Sequence, residues 1–309
     1  MARSSIITFK DQFMITLTQD QQRASSAFTD FLLDKEQKYM VINGVAGSGK
    51  STLMRILASL ITPDSGEVKI TGLDTVKDFR LVRCLIGYMP GRFSLYGDLT
   101  VEENLRFFSS VFGTTFESNR YLIEEIYSTI EPFRRRRAAR LSGGMKQKLA
   151  LCCALIHNPK VLLLDEPTTG IDPVSRVELW QMLGRLRERG ITIVVSTPYM
   201  DEAGRCDRMA FMHSGKMLNT ATPAQTIASF GETLFAVKGE RMHQLLVDLR
   251  AAEGVNNCYS FGETHHFTTD KQVDLSTLME SLKIKGYENV EISRVTPSIE
   301  DCYLKLYMK

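Results

Sequence analysis

No run of apolar residues in this chain approaches the ~20 needed to cross a bilayer, so length alone excludes a spanning helix. The opening residues, MARSSIITFK, hold no apolar core of the kind a secretory leader needs. An excess of one charge is also missing: 38 Lys and Arg face 36 Asp and Glu, a net +2. Arg134 to Arg137 is the one basic run, so bulk charge does not point to a nucleic acid. That run reads as a solvated, partly ion-paired connector rather than an anion or membrane-surface patch. Cysteine is scarce, and Cys84, Cys152, Cys153, Cys206, Cys258 and Cys302 show no metal-ligand spacing. Scattered in this way, they read as buried small hydrophobes in a reducing compartment. What remains is a chain of 309 residues that is 43% hydrophobic, enough for a large α/β domain and a small second one.

Two stretches carry chemistry. The first is Gly44-Val45-Ala46-Gly47-Ser48-Gly49-Lys50-Ser51-Thr52, which follows the apolar Tyr39-Met40-Val41-Ile42 and precedes a helical pattern. Glycines in a strand–loop–helix context let backbone N–H groups wrap phosphate oxygens, with Lys50 reaching the terminal phosphates and the Ser51 hydroxyl available to Mg²⁺. The second runs from Leu141 to Asp172, LSGGMKQKLALCCALIHNPKVLLLDEPTTGID. Ser142, Gly143 and Gly144 stand before a helical segment and leave N–H groups open at its positive end. Val161 to Leu164 suits a strand buried on both faces of a parallel sheet. It ends on Asp165-Glu166, where open α/β sheets bind ligands.

LSGG-K-Q followed by LLLDEPTTGIDP, with a phosphate loop about ninety residues upstream, resembles the ATP-binding cassette of ABC transporters. The resemblance runs from about Gly44 to Phe230 and continues more weakly to the C-terminus in the manner of drug-exporter ATPase subunits. It implies an α/β P-loop NTPase fold with a helical subdomain over residues 92–140, within a nucleotide-binding domain of residues 1–230. It implies ATP and Mg²⁺ as ligands. Gly44, Gly47, Ser48, Gly49, Lys50, Ser51 and Thr52 would bind nucleotide, Ser51 and Asp165 the metal, and Glu166 would polarise the attacking water. Ser142, Gly143, Gly144 and Asp172 would act across a dimer on the nucleotide of a second copy. An integral-membrane permease, a separate chain, would be the other partner, with this chain on the cytoplasmic face of the inner membrane. No specific nucleic acid is expected.

Two family side chains are absent. Gly91 stands where a Gln usually touches metal and water, and Pro198 where a His usually holds the γ-phosphate. Turnover is then either that of an ordinary cassette or slow and partner-dependent. The first forty residues are atypical: a helix over about 20–35 is expected, and residues 15–52 resemble the start of Dda/RecD-type helicases. Gln22 is then either an adenine reader or a solvated helix residue.

Thr100 to Glu103 fits a capping box before two helices of about 101–112 and 118–130. From Thr233 the pattern becomes strand-helix-strand-strand-helix-strand, which suits a ferredoxin-like accessory module over 231–309. The pair His265-His266 reads as plain surface on a strand edge rather than a metal site. Three functions follow: the ATPase subunit of an exporter, a soluble non-transport ABC ATPase, and a helicase suggested by the front end alone.

Overall fold

The computed structural model describes residues 38–269 and 275–307. The helix expected over about 20–35, and Gln22, lie outside these residues. The chain divides into two units after Pro223.

The first unit is built on a six-stranded sheet. β1 (Tyr39–Asn43) leads through the phosphate loop into α1 (Lys50–Leu57). A two-stranded ribbon, β2 (Lys69–Ile70) with β3 (Leu73–Asp74), and α2 (Phe79–Leu85) precede β4 (Ile86–Met89). α3 (Val101–Val111), α4 (Phe116–Tyr127) and α5 (Gly143–Leu155) follow, then β5 (Val161–Asp165), α6 (Pro173–Glu188), β6 (Thr192–Thr197), β7 (Arg208–His213) and β8 (Lys216–Ala221). The strand order is β4-β5-β6-β1-β7-β8, parallel except for the β7–β8 hairpin. β1 and β5 are buried at every position, as expected of strands covered on both faces. Their side chains meet Met54 and Leu57 of α1 in a continuous apolar core.

Strand order positions the site. Because β6 lies between β5 and β1, the C-terminal ends of these three strands are neighbours. Asp165 pairs in register with Ser196, and Asn43 with Thr197.

α3 starts with the expected capping box: Thr100 Oγ1 accepts from the Glu103 N–H at 3.2 Å, and Glu103 accepts from the Thr100 N–H at 2.8 Å. The arginine run is pinned to this helix start. Arg136 O accepts from the Val101 N–H at 3.1 Å and Arg134 O from the Glu102 N–H at 3.1 Å. Arg134 Nε lies 4.0 Å from Glu102. α5 packs on both α3 and α4.

The second unit begins within α7 (Pro223–Ala228), at Ala224. It then sets β9 (Thr233–Lys238), α8 (Met242–Arg250), β10 (Val255–Phe261), β11 (Thr264–Thr269), α9 (Leu275–Ile284), β12 (Glu291–Val295) and α10 (Ile299–Tyr307) in chain order. The antiparallel order β10-β11-β9-β12 is the ferredoxin-like arrangement. Phe235, Val237, Cys258 and Phe267 pack with Leu245 and Leu249 of α8 and Leu278 and Leu282 of α9.

Two expectations are corrected here. His265 and His266 are not surface on an edge: β11 is an inner strand, and they are 5% and 7% exposed. Alternation along the strand sends them to opposite faces. His265 Nε2 bonds Met242 O at 2.7 Å, and His266 Nδ1 lies 2.7 Å from Asp301 of α10. Asp301 Oδ1 also accepts from Tyr259 Oη at 2.8 Å, and Asp301 and Ser298 cap α10 reciprocally, through the Ser298 N–H at 2.7 Å and the Asp301 N–H at 3.1 Å. Among the described residues no group of three or more His, Cys, Asp and Glu side chains could hold a metal ion. The second correction is Cys84, which is exposed. Its helix, α2, buries Val82 instead; Cys152, Cys153, Cys258 and Cys302 are buried and Cys206 is half-buried.

Candidate nucleotide site

The phosphate loop is shaped by close approach. A Cβ on Gly44 would stand 2.2 Å from Met212 O and 2.8 Å from Ser48 Oγ, so only glycine fits. Gly49, at φ 99°, makes the left-handed turn into α1. Lys50 is 3% exposed, and its Nζ donates to Gly44 O at 2.6 Å and Val45 O at 2.9 Å. Glu166 Oε1 lies 3.5 Å from the same ammonium. Burial pulls the Lys50 ammonium below the usual lysine range, against the opposing charges of Glu166 and Asp165.

Across the sheet, Asp165 is 4% exposed and its Oδ1 accepts from Ser51 Oγ at 3.1 Å and from Ser196 Oγ at 2.5 Å. Glu166 leaves the strand at φ 49°, an uncommon conformation for a side chain of its size. Its N–H is fixed by Ser196 O at 3.0 Å and Ser196 Oγ at 3.1 Å. The structure thus brings Lys50, Ser51, Asp165 and Glu166 together. Ser48 Oγ is buried without a hydrogen-bond partner in this loop. Thr52 lies within α1 and is exposed.

The Ser142 turn is built separately. Ser142 caps α5, its Oγ accepting from the Met145 N–H at 3.4 Å. The neighbours of the two glycines come from residues 170–175. A Cβ on Gly143 would lie 3.0 Å from Gly170 O, and one on Gly144 only 2.4 Å from Ser175 Oγ. Asp172 caps α6, accepting from the Ser175 N–H at 2.9 Å and from Ser175 Oγ at 2.6 Å. Those bonds hold its carboxyl below the ordinary range. Ser142 and Gly143 are exposed.

Gly91 has a physical reason of its own. A Cβ there would be 3.0 Å from the backbone Asp165 O and 3.6 Å from Glu166 Cβ, so the chain at 91 passes close to the main chain that carries the two carboxylates. Pro198 follows Thr197 at the end of β6 and is partly buried. Sequence reasoning missed Asn43, whose Nδ2 donates to Tyr199 O at 2.7 Å, and Glu202, a carboxylate with 0% exposure. For Asn43 the signal was there: an amide closing an otherwise apolar strand.

Comparison with known proteins bears on this geometry. The ABC transporter family model matches residues 30–169. Nod factor export ATP-binding protein I of a Rhizobium species is 33% identical over 268 residues, covering 85% of this chain and 86% of that protein. The chain belongs to the ABC transporter ATP-binding family. The probable multidrug ABC transporter ATP-binding protein YbhF of Escherichia coli is 37% identical over 268 residues, 85% of this chain and 46% of its own length. The ABC chain described here therefore spans about half the length of YbhF. Among solved structures, an ATP-binding subunit of an ABC transporter superposes with a TM-score of 0.58 at 28% identity, covering 63% of this chain and 83% of the other. A dimeric bacterial ABC transporter cassette gives 0.55 at 30% identity, covering 62% and 88%. The helicase resemblance of residues 15–52 is not borne out. The ABC family match begins inside that stretch, at residue 30, and the described part of it, β1, the loop and α1, belongs to the cassette sheet and its core.

Proposed function

We propose that this chain is the ATP-binding and ATP-hydrolysing subunit of an ABC transporter of the exporter kind, driving a separate integral-membrane permease by ATP-dependent pairing of two cassettes. The observation that carries the proposal is the meeting of Lys50 and Ser51 with Asp165 and Glu166 at the ends of neighbouring strands. Lys50 and the loop amides of Gly44, Gly47, Ser48, Gly49 and Ser51 bind phosphate oxygens, and Lys50 exchanges its bonds to Gly44 O and Val45 O for them.

Ser51 and Asp165 fit a hard divalent cation, since both present oxygen to one point. Mg²⁺, when bound, neutralises charge on the phosphates. Glu166 accepts the proton of the attacking water, a role whose removal typically costs about 10²–10⁴ in rate. Ser142, Gly143 and Gly144 of a second copy close on the γ-phosphate, with Asp172 at the same junction. A two-fold pair then holds two composite sites. ATP favours the closed pair and hydrolysis releases it.

Residues 1–230 act as the nucleotide-binding domain, with 92–140 as its helical subdomain, and 231–309 as an accessory domain. A groove of about 200 Å³ between β4 and helices α3 and α5, lined by Tyr88, Leu95, Phe108, Phe112, Cys153 and His157, supports a permease contact on the helical subdomain. Among the described residues no helix is long and apolar enough to cross a membrane; a place on the cytoplasmic face, held by the permease, is part of the same proposal.

The test is ATP binding and turnover by the purified chain with Mg²⁺ and after chelation by EDTA. Turnover that needs Mg²⁺ is expected. A chain that neither binds nor hydrolyses ATP would overturn the proposal.

A further inference from the structure

Glu202 is fully buried yet belongs to none of the motifs that carry the nucleotide chemistry. A buried carboxylate is tolerated only when its oxygens are paired and hydrogen-bonded. Four donors meet this one. Oε2 accepts from Thr168 Oγ1 at 3.1 Å and from Thr197 Oγ1, and Oε1 accepts from Arg176 Nε at 2.6 Å and Trp180 Nε1 at 3.0 Å.

These donors come from three parts of the site. Thr168 is two residues beyond Glu166. Arg176 sits in the first turns of α6, just past Asp172, where its guanidinium also holds Asp201 in two bonds of 2.7 Å and lies 4.5 Å from the centre of the Tyr199 ring. Thr197 ends β6. Its carbonyl accepts from the Gly44 N–H of the phosphate loop at 3.3 Å, and its hydroxyl accepts from the Tyr199 N–H at 3.1 Å. Between Thr197 and Tyr199 stands Pro198, which offers neither a side-chain donor nor an N–H.

We propose that Glu202 is the positioning residue of this site: it ties the loop at 197–199 to the segment after Glu166 and to the start of α6. Through Thr197 and Gly44 the tie reaches the phosphate loop, so a loop without a donor at 198 is held from behind. This rests on the ATPase reading above.

Thr197→Val removes one hydroxyl from the network, and Thr197→Ser keeps it. Steady-state ATP hydrolysis is measured for both, with ATP affinity by calorimetry and melting by circular dichroism. Trp180 is the chain's one tryptophan and donates to Glu202, so its emission reports the network directly. In Thr197→Val a fall in kcat of about tenfold is expected, since a hydrogen bond to a buried charge is lost, with KM and affinity for ATP near wild type. Thr197→Ser should recover most of it, and the change in Trp180 emission on adding Mg²⁺ and ATP should weaken in the Val variant and return in the Ser variant. Should Thr197→Val fail to fold, Thr168→Val, which removes the other hydroxyl from Glu202 Oε2, is read in the same way. Wild-type kcat and Trp180 response in the Val variant, with a lower melting temperature alone, would overturn the inference while leaving the ATPase reading intact. A wild-type chain without ATP binding or turnover would overturn both.

Discussion

Gly144 offers a stability test of how the Ser142 turn is built. An alanine Cβ at 144 would stand 2.4 Å from Ser175 Oγ and 2.9 Å from Ser175 Cβ, so Ser175 must move. Ser175 is held at the start of α6 by Asp172, at 2.9 Å through its N–H and 2.6 Å through its hydroxyl. Moving it weakens a helix cap worth about 1 kcal/mol and adds overpacking of about 1–3 kcal/mol. The better helix propensity of alanine returns up to about 1 kcal/mol in the first turn of α5. A net destabilisation of about 1–3 kcal/mol follows, seen as a fall of about 3–10 °C in the melting temperature of the first unit. The decisive control is the same substitution in a Ser175→Gly background, where the obstructing atoms are gone. There the clash should vanish and only alanine's propensity gain of up to about 1 kcal/mol remain, giving a coupling of about 2–4 kcal/mol in the double-mutant cycle. Thermal melts of the four proteins measure it. Equal costs in both backgrounds would refute the packing argument.

Two further outcomes are expected. A neutral thiol reagent should modify Cys84 first in the native protein, because the other thiols are wholly or partly buried; burial pushes Cys206 up to about 12 and both Cys258 and Cys302 up to about 11. Mass spectrometry at pH 8 checks this, and equal labelling of Cys152 or Cys153 would contradict it. In the second unit, burial acts to raise the Asp301 carboxyl, but hydrogen bonds from Ser298 and His266 outweigh it and hold the group below the ordinary range. A depressed carboxylate stabilises above the unfolded value of about 3.9 and loses that contribution as pH falls through the folded value. Wild type should therefore exceed Asp301→Asn by about 1–3 kcal/mol at pH 7, and the gap should narrow below about pH 4. Chemical denaturation across pH measures it, and a gap independent of pH would count against the pairing.

Much of this was readable from the chain because the chemistry sits in short local patterns. The glycines before Lys50, the carboxylates ending an apolar run and the Thr100–Glu103 box each need only their immediate neighbours to be recognised. Residues whose meaning depends on strand order were not readable. His265 and His266 look like surface until β11 is seen to be an inner strand. Glu202 has no local pattern to mark it, and Thr168, Arg176, Trp180 and Thr197 converge on it from separate elements. The absence of a glutamine at 91 was plain, but its setting was not: the backbone there passes close to Asp165 O.

The most direct measurement is steady-state ATP hydrolysis by the purified chain and its Glu166→Gln form over a range of protein concentrations, with the oligomeric state followed by light scattering. Specific activity rising with concentration in wild type is expected. In the variant a loss of about 10²–10⁴ is expected, together with a dimer that persists in Mg²⁺ and ATP. Hydrolysis by Glu166→Gln at the wild-type rate would remove Glu166 from its role, and activity independent of concentration in a protein that stays monomeric would contradict the shared site.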